Sequence, residues 1–201
     1  MGVTAFFYAA TAKIDQVETA LRKRYADMLT GVLAEDRKRT EQSALEQIYK
    51  NSDGALVVLW QDGPYTCWAE SELLLADDDQ LVALSIELGT VLFAMIGDHG
   101  GSYAFGMFRD GEGLRWIQND WELSGAPIPE EDGIDAATLT GDNVELIWQR
   151  FGLRPLFEGI APFRVLIAPR SAETTAAPPA PTPAEPTPTE PPRRKPWWKF
   201  W

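Results

Sequence analysis

Apolar and polar positions along this chain repeat with two periods, and the clearest pattern lies between Thr90 and Gln118. Thr90–Ile96 is almost wholly apolar, as a strand covered on both faces would be, and it runs into Gly97-Asp98-His99-Gly100-Gly101, residues that tolerate turn geometry. Ser102–Arg109 alternates Tyr103, Phe105 and Met107 with Ala104, Gly106 and Phe108, and Asp110-Gly111-Glu112-Gly113 then supplies glycines for positive φ. Leu114–Gln118 closes a three-stranded antiparallel meander. A similar apolar run, Val3–Ala10, reads as a first strand.

Helical spacing alternates with these runs. Ile14, Val17, Leu21, Tyr25, Met28 and Val32 form one stripe, with Lys13, Glu18, Arg22, Lys23 and Asp27 on the other side. Thr11 is placed to cap that helix, and Glu35–Arg39 reads as its solvated exit or a loop. Thr40 opens a shorter helix through Leu45, Ile48 and Tyr49, ending near Asn51. Ala55–Trp60 is a buried strand stopped by the turn Gln61-Asp62-Gly63-Pro64. A third helix carries Leu81, Val82, Leu84, Ile86 and Leu88, and Leu88-Gly89 ends it. After the meander, Trp121–Gly133 with Pro127 and Pro129 is an irregular covering loop. Asp142 caps a fourth helix through Val144, Ile147, Trp148 and Phe151, stopped at Gly152, and Phe163–Ala168 is a last strand. The expected fold is one α+β domain with a mainly antiparallel sheet packed by about four helices.

Composition divides the chain further. With 201 residues and 45% hydrophobic content there is enough for one globular domain and something extra. Ten of the fifteen prolines fall between Pro169 and Pro196, so residues 1–168 are expected to form the globular domain, and 169–192 a disordered spacer rich in Pro, Ala and Thr. Residues 193–201 are set apart as a basic, aromatic peptide. Five basic residues against three acidic ones leave the stretch from 169 onward at +2 and residues 1–168 at −14, within a total of −12. So acidic a body is a poor binder of nucleic acid, whose phosphates are held mainly by Lys and Arg, and it suits a basic partner or plain solubility.

Chemistry-bearing residues are sparse. The single cysteine, Cys67, excludes an internal disulfide and fits a reducing, cytoplasmic compartment. The first residues lack the basic flank of a secretion signal, Phe6 stands where a myristoylation motif needs Ser or Thr, and no run approaches the roughly 18 apolar residues of a membrane span. The only histidine, His99, lies beside Asp98, so Cys67, His99 and Asp98 could assemble a hydrolase's nucleophile, base and orienter; against that, Cys67 between Tyr65 and Trp68 fits a buried structural thiol. Asp77-Asp78-Asp79 would attract a hard cation, but consecutive acids point in different directions, and at a helix N-terminus they favour the dipole instead. The glycines from Gly97 to Gly106 lack phosphate-loop spacing and a lysine. The reading is therefore no catalytic residue, no metal and no cofactor.

The arrangement Leu88-Gly89-Thr90, strand, Asp98-His99-Gly100-Gly101, strand, Phe108-Arg109-Asp110-Gly111, Leu114-Arg115 resembles small uncharacterised bacterial α+β proteins, some of them immunity-like, over residues 54–153. That resemblance implies a non-enzymatic protein that binds another protein through an acidic surface.

The sharpest feature is Arg193, Arg194, Lys195, Pro196, Trp197, Trp198, Lys199, Phe200 and Trp201, four basic and four large aromatic side chains in nine positions. Trp and Arg dominate protein-interface hot spots, which makes this stretch a docking peptide for a protein partner. The same residues suit an anionic membrane surface at the inner face, where Trp sits at the headgroup level and each basic residue contributes about 1 kcal/mol. Two function classes follow: an interaction protein of the immunity or adaptor kind, and a peripheral membrane protein held weakly by this peptide. A Cys67–His99 hydrolase is the third.

Overall fold

The meander expected between residues 90 and 118 is one end of a larger sheet. The computed structural model describes residues 4–28, 34–35, 54–70, 78–97, 101–119, 123–156 and 163–169. In chain order these form β1 (Thr4–Ala10), α1 (Ile14–Met28), β2 (Ala34–Glu35), β3 (Gly54–Asp62), β4 (Tyr65–Glu70), α2 (Asp78–Leu88), β5 (Val91–Gly97), β6 (Tyr103–Arg109), β7 (Glu112–Gln118), α3 (Gly141–Arg150) and β8 (Phe163–Pro169). The eight strands lie in the order β2-β8-β3-β4-β1-β5-β6-β7, and every pairing is antiparallel. The fold is α+β with an antiparallel sheet.

Strand β1 sits in the middle because both its faces are apolar and both its edges are paired. Tyr8 and Ala10 enter a core with Val17, Leu21 and Tyr25 of α1 and Leu81, Leu84 and Leu88 of α2. Phe7 and Ala9 enter the opposite core, with Val144, Ile147 and Trp148 of α3. Helices on both faces explain why β5 reads as a continuous apolar run instead of alternating.

One cross-strand row organises the α1/α2 face. Leu59, Trp68, Tyr8, Phe93, Gly106 and Trp116 are successive register partners across six strands. Tyr8 stacks on Trp68 with ring centroids 5.1 Å apart and 5° between planes, and Phe93 stacks on Trp116 at 5.4 Å and 7°. Strands lie about 4.8 Å apart, so Phe93 and Trp116, two strands from each other, meet only by leaning over the bare backbone of Gly106 between them.

Several sequence expectations need correction. Strand β4 was not anticipated: Gln61–Pro64 is the turn expected there, and with Gly63 at φ +54 it carries the chain into a β3–β4 hairpin whose second strand pairs directly with β1. Thr11 does not cap α1. Its Oγ1 accepts from the Thr90 amide at 3.1 Å and its own amide donates to the Thr90 carbonyl at 3.1 Å, joining the end of β1 to the start of β5, while Gln16 Oε1 accepts from the Lys13 amide. Glu35, read as part of a solvated exit or loop, pairs with Leu166 in the sheet. The cap of α3 is Thr140, reciprocally bonded with Asn143, and Asp142 lies in the first turn. Three α-helices occur among the described residues; the helix expected from Thr40, residues 170–192 of the spacer and the terminal peptide lie outside them, while Pro169, placed at the head of the spacer, ends β8 opposite Gly54. Among the described residues no helix is long and apolar enough to cross a membrane.

The row over Gly106 makes a direct prediction. A Cβ there would stand 2.7 Å from Trp116 Cε3 and 2.9 Å from Phe108 Cε2. Gly106→Ala should cost about 1–3 kcal/mol through overpacking, read as a Tm lowered by several degrees. A Tm at or above that of the parent protein would show that the rings do not depend on the bare glycine.

Candidate binding groove

The groove begins with an irregularity in β7. Arg109 pairs with Glu112 and Phe108 with Gly113, but Met107 pairs with Arg115, leaving Leu114 as the extra residue of a β-bulge. Without it, Arg115 would fall on the α1/α2 face; the bulge turns it to the α3 side, where Ile117 also lies.

On that side Arg115 meets the segment after β7. Its Nε donates to Glu131 Oε1 at 2.8 Å and its Nη2 to Glu131 Oε2 at 2.7 Å, with both side chains about 95% buried (4% and 5% exposed). Its Nη1 donates to the carbonyls of Gly125 at 2.8 Å and Ser124 at 3.2 Å. Glu131 Oε1 also accepts from the Ile128 amide at 3.2 Å. The bidentate pair is thus hydrogen-bonded on both sides, which such a pair needs to offset the desolvation of two charges. Ser124 exchanges backbone bonds of 3.0 and 3.1 Å with Trp116 and so covers part of the edge of β7. Gly125 permits this approach: at φ +79, a Cβ would lie 2.0 Å from the Leu114 carbonyl oxygen. Arg150 of α3 holds the segment from its far end, its Nη1 donating to the carbonyls of Glu130 at 2.8 Å and Asp132 at 2.7 Å.

These ties leave an open groove of about 840 Å³, within the usual range for ligand clefts of roughly 300–1,000 Å³. Leu123, Pro127, Ile128, Pro129, Ile134 and Ala136 give it an apolar lining. Leu123 is 41% exposed. Arg115 and Glu131 cancel, so the net charge of the lining comes from Asp132 and Asp135, both exposed. Asp135 also accepts from the Ala137 amide at 3.0 Å and caps a single 3-10 turn. An apolar lining with an acidic margin fits a ligand that is both apolar and cationic.

Sequence reasoning did not find this groove. Trp121–Gly133 was read as a covering loop, and Glu131, within Glu130-Glu131-Asp132, has the appearance of a solvated acid. The usable signal was Arg115, a charged residue inside an apolar strand, which requires a carboxylate partner if that strand is buried.

The residues singled out from sequence are distributed differently. Cys67 lies on β4 between its register partners Ala9 and Trp60, in the α3-side core. Burial pushes its thiol well above the ordinary 9.0, Asp62 adds to this and Arg154 opposes it. A thiol held protonated is a poor nucleophile. Asp62 itself accepts from the amide and Nε of Arg154, at 2.7 and 3.1 Å, and ties the chain after α3 to the β3–β4 hairpin. Under α1, the Tyr25 hydroxyl donates to Glu70 Oε2. Tyr8 in the same core has its pKa raised well above 10.0, first by burial and then by the charge of Glu70. Asp78 and Asp79 occupy the first turn of α2, and among the described residues no three His, Cys, Asp or Glu side chains cluster to hold a metal. His99, Asp77 and residues 193–201 lie outside the described residues.

Comparison with protein-family models, with curated proteins and with solved structures finds no match.

Two outcomes follow. Arg115→Met should destabilise the fold by about 3–5 kcal/mol, because Glu131 is left as a buried unpaired charge, whereas Arg115→Met with Glu131→Leu should recover most of that loss; denaturant titration of the single and double variants measures both. A double variant as unstable as the single one would locate the loss elsewhere. Alkaline titration tests the buried acids. Cys67 and Tyr8 hold their protons more tightly folded than unfolded, so their contribution is complete below the unfolded pKa values, ordinarily 9.0 and 10.0, and is lost as pH rises beyond them. The denaturation midpoint should fall above about pH 9, and Cys67→Ala should flatten the first part of that fall.

Proposed function

We propose that the protein is a non-enzymatic interaction protein, adaptor- or immunity-like, whose acidic body and basic, aromatic terminal peptide are its two recognition parts. The observation that carries this reading is the groove beside β7, with its apolar lining, acidic margin and conformation fixed by the buried Arg115–Glu131 pair. Supporting it, Cys67 is buried and protonated, and the charged side chains buried among the described residues, Asp62, Glu70, Arg115 and Glu131, each engage a neighbour in a fold-building contact. Recognition surfaces need rigid, partly apolar concavities, and the tied groove is one. The charge of −14 on residues 1–168 favours a basic partner for the body, and the four basic residues of the peptide favour an acidic one.

The peptide's composition also suits a membrane interface, which gives the second reading: weak peripheral attachment through Trp197, Trp198 and Trp201. Affinity capture with the full chain, beside a full chain carrying Trp197→Ala and Trp198→Ala, tests the first reading, and flotation with anionic vesicles tests the second. The expected result is a protein partner held by the parent chain and lost from the variant, with no vesicle binding. Vesicle binding that disappears in the variant, without a protein partner, would replace the adaptor reading with the membrane one.

A further inference from the structure

The two recognition parts have opposite sign and matching chemistry, and we infer that each is the other's ligand: in the absence of a partner, residues 193–201 seat in the groove of the same chain. This rests on reading the groove as a recognition surface. The lining offers apolar contact through Leu123, Ile128 and Ile134 and negative charge through Asp132 and Asp135. Arg193, Arg194, Lys195 and Lys199 supply the opposite charge, and Trp197, Trp198, Phe200 and Trp201 the apolar rings. Indole and phenyl rings beside proline and branched aliphatic side chains bury much area for little lost side-chain freedom, and the flanking cations meet carboxylates at the margin instead of being desolvated within it.

Reach permits the contact. Strand β8 ends at Pro169, six strand spacings from β7, or about 29 Å at roughly 4.8 Å each. Residues 170–192 precede the peptide and, at about 3.1 Å per residue when extended, span on the order of 70 Å. A linker whose full reach is about twice the gap it must cross still gives a local concentration on the order of 1 mM. A seat with an intrinsic Kd of about 100 μM would then be filled in roughly ten molecules of eleven. A tail ligand would bind about tenfold more weakly than it binds a free tail, so the seat acts as a latch.

The test keeps the full chain. Thr189→Cys introduces a spin-label site beside the peptide, while the buried Cys67 resists labelling, and amide signals are recorded on isotope-labelled protein. The expected result is paramagnetic broadening concentrated on residues 123–136, abolished by Trp197→Ala with Trp198→Ala, and by Asp132→Asn with Asp135→Asn. Asn retains the capping oxygen at position 135 and so keeps the local turn. If that acidic-site variant were to disturb the loop, salt provides the independent control. Broadening should fade as the Debye length shrinks from about 10 Å at 0.1 M to about 3 Å at 1 M, with the shifts of residues 101–119 unchanged. A mixture of spin-labelled, isotope-free chains with isotope-labelled, spin-free chains should show no broadening. Broadening that is absent from the groove, spread over the acidic surface at large, or present in the mixed sample at equal strength would overturn the latch. Capture of a partner through Trp197 and Trp198 can still succeed in that event, so failure of the latch and failure of the interaction reading are told apart.

Discussion

The sheet depends on a row of rings that crosses it. Trp68, Tyr8, Phe93 and Trp116 lie on one register line, and Gly106 is the gap over which the last two close. Stacked and tilted rings gain beyond the area they bury, and on a sheet they also fix register, since a slip of one residue would move each ring to the opposite face. The α1/α2 side packs on this row through Val17, Leu21, Tyr25, Leu81 and Leu84. The opposite face uses the residues that alternate with the row, Phe7, Cys67, Ala94 and Phe105, beneath α3.

A sheet covered on both faces leaves little room for charge, and the charges buried within it act as ties. Asp62 accepts from Arg154, Glu70 from Tyr25, and Glu131 from Arg115. Each joins segments far apart in sequence or an edge to its cover. The Arg115–Glu131 tie differs in its consequence, because it fixes an irregular segment against the end of the sheet and leaves a concavity at the surface. In this way a stability device shapes the groove: the bulge at Leu114 aims Arg115, Arg115 ties residues 124, 125 and 131, and those ties set the concavity.

Charge is divided unevenly along the chain. Residues 1–168 carry −14 and those from 169 onward +2, with four of the positive charges in the final nine positions. Such separation of sign within one polypeptide favours either two distinct partners or a contact between its parts.

The residues themselves determined much of the architecture. The meander, the amphipathic α1, the stop of α2 at Gly89 and of α3 at Gly152, and β8 were legible because each is a local pattern of period 2 or 3.6 punctuated by turn chemistry. Strand β4 was legible in principle, since Asp62-Gly63 followed by Tyr65, Thr66, Cys67 and Trp68 is a hairpin signal. Thr11 looked like a cap because Ser and Thr before a helix commonly are, yet a strand end 79 residues away claimed its hydroxyl. Two things were decided by the tertiary structure alone: the central place of β1 and the pairing of Arg115 with Glu131. Neither has a local signature. Which strands become neighbours depends on burying both faces of the sheet at once, and whether an acid such as Glu131 is solvated or buried depends on a cation that the bulge brings to it from 16 residues away.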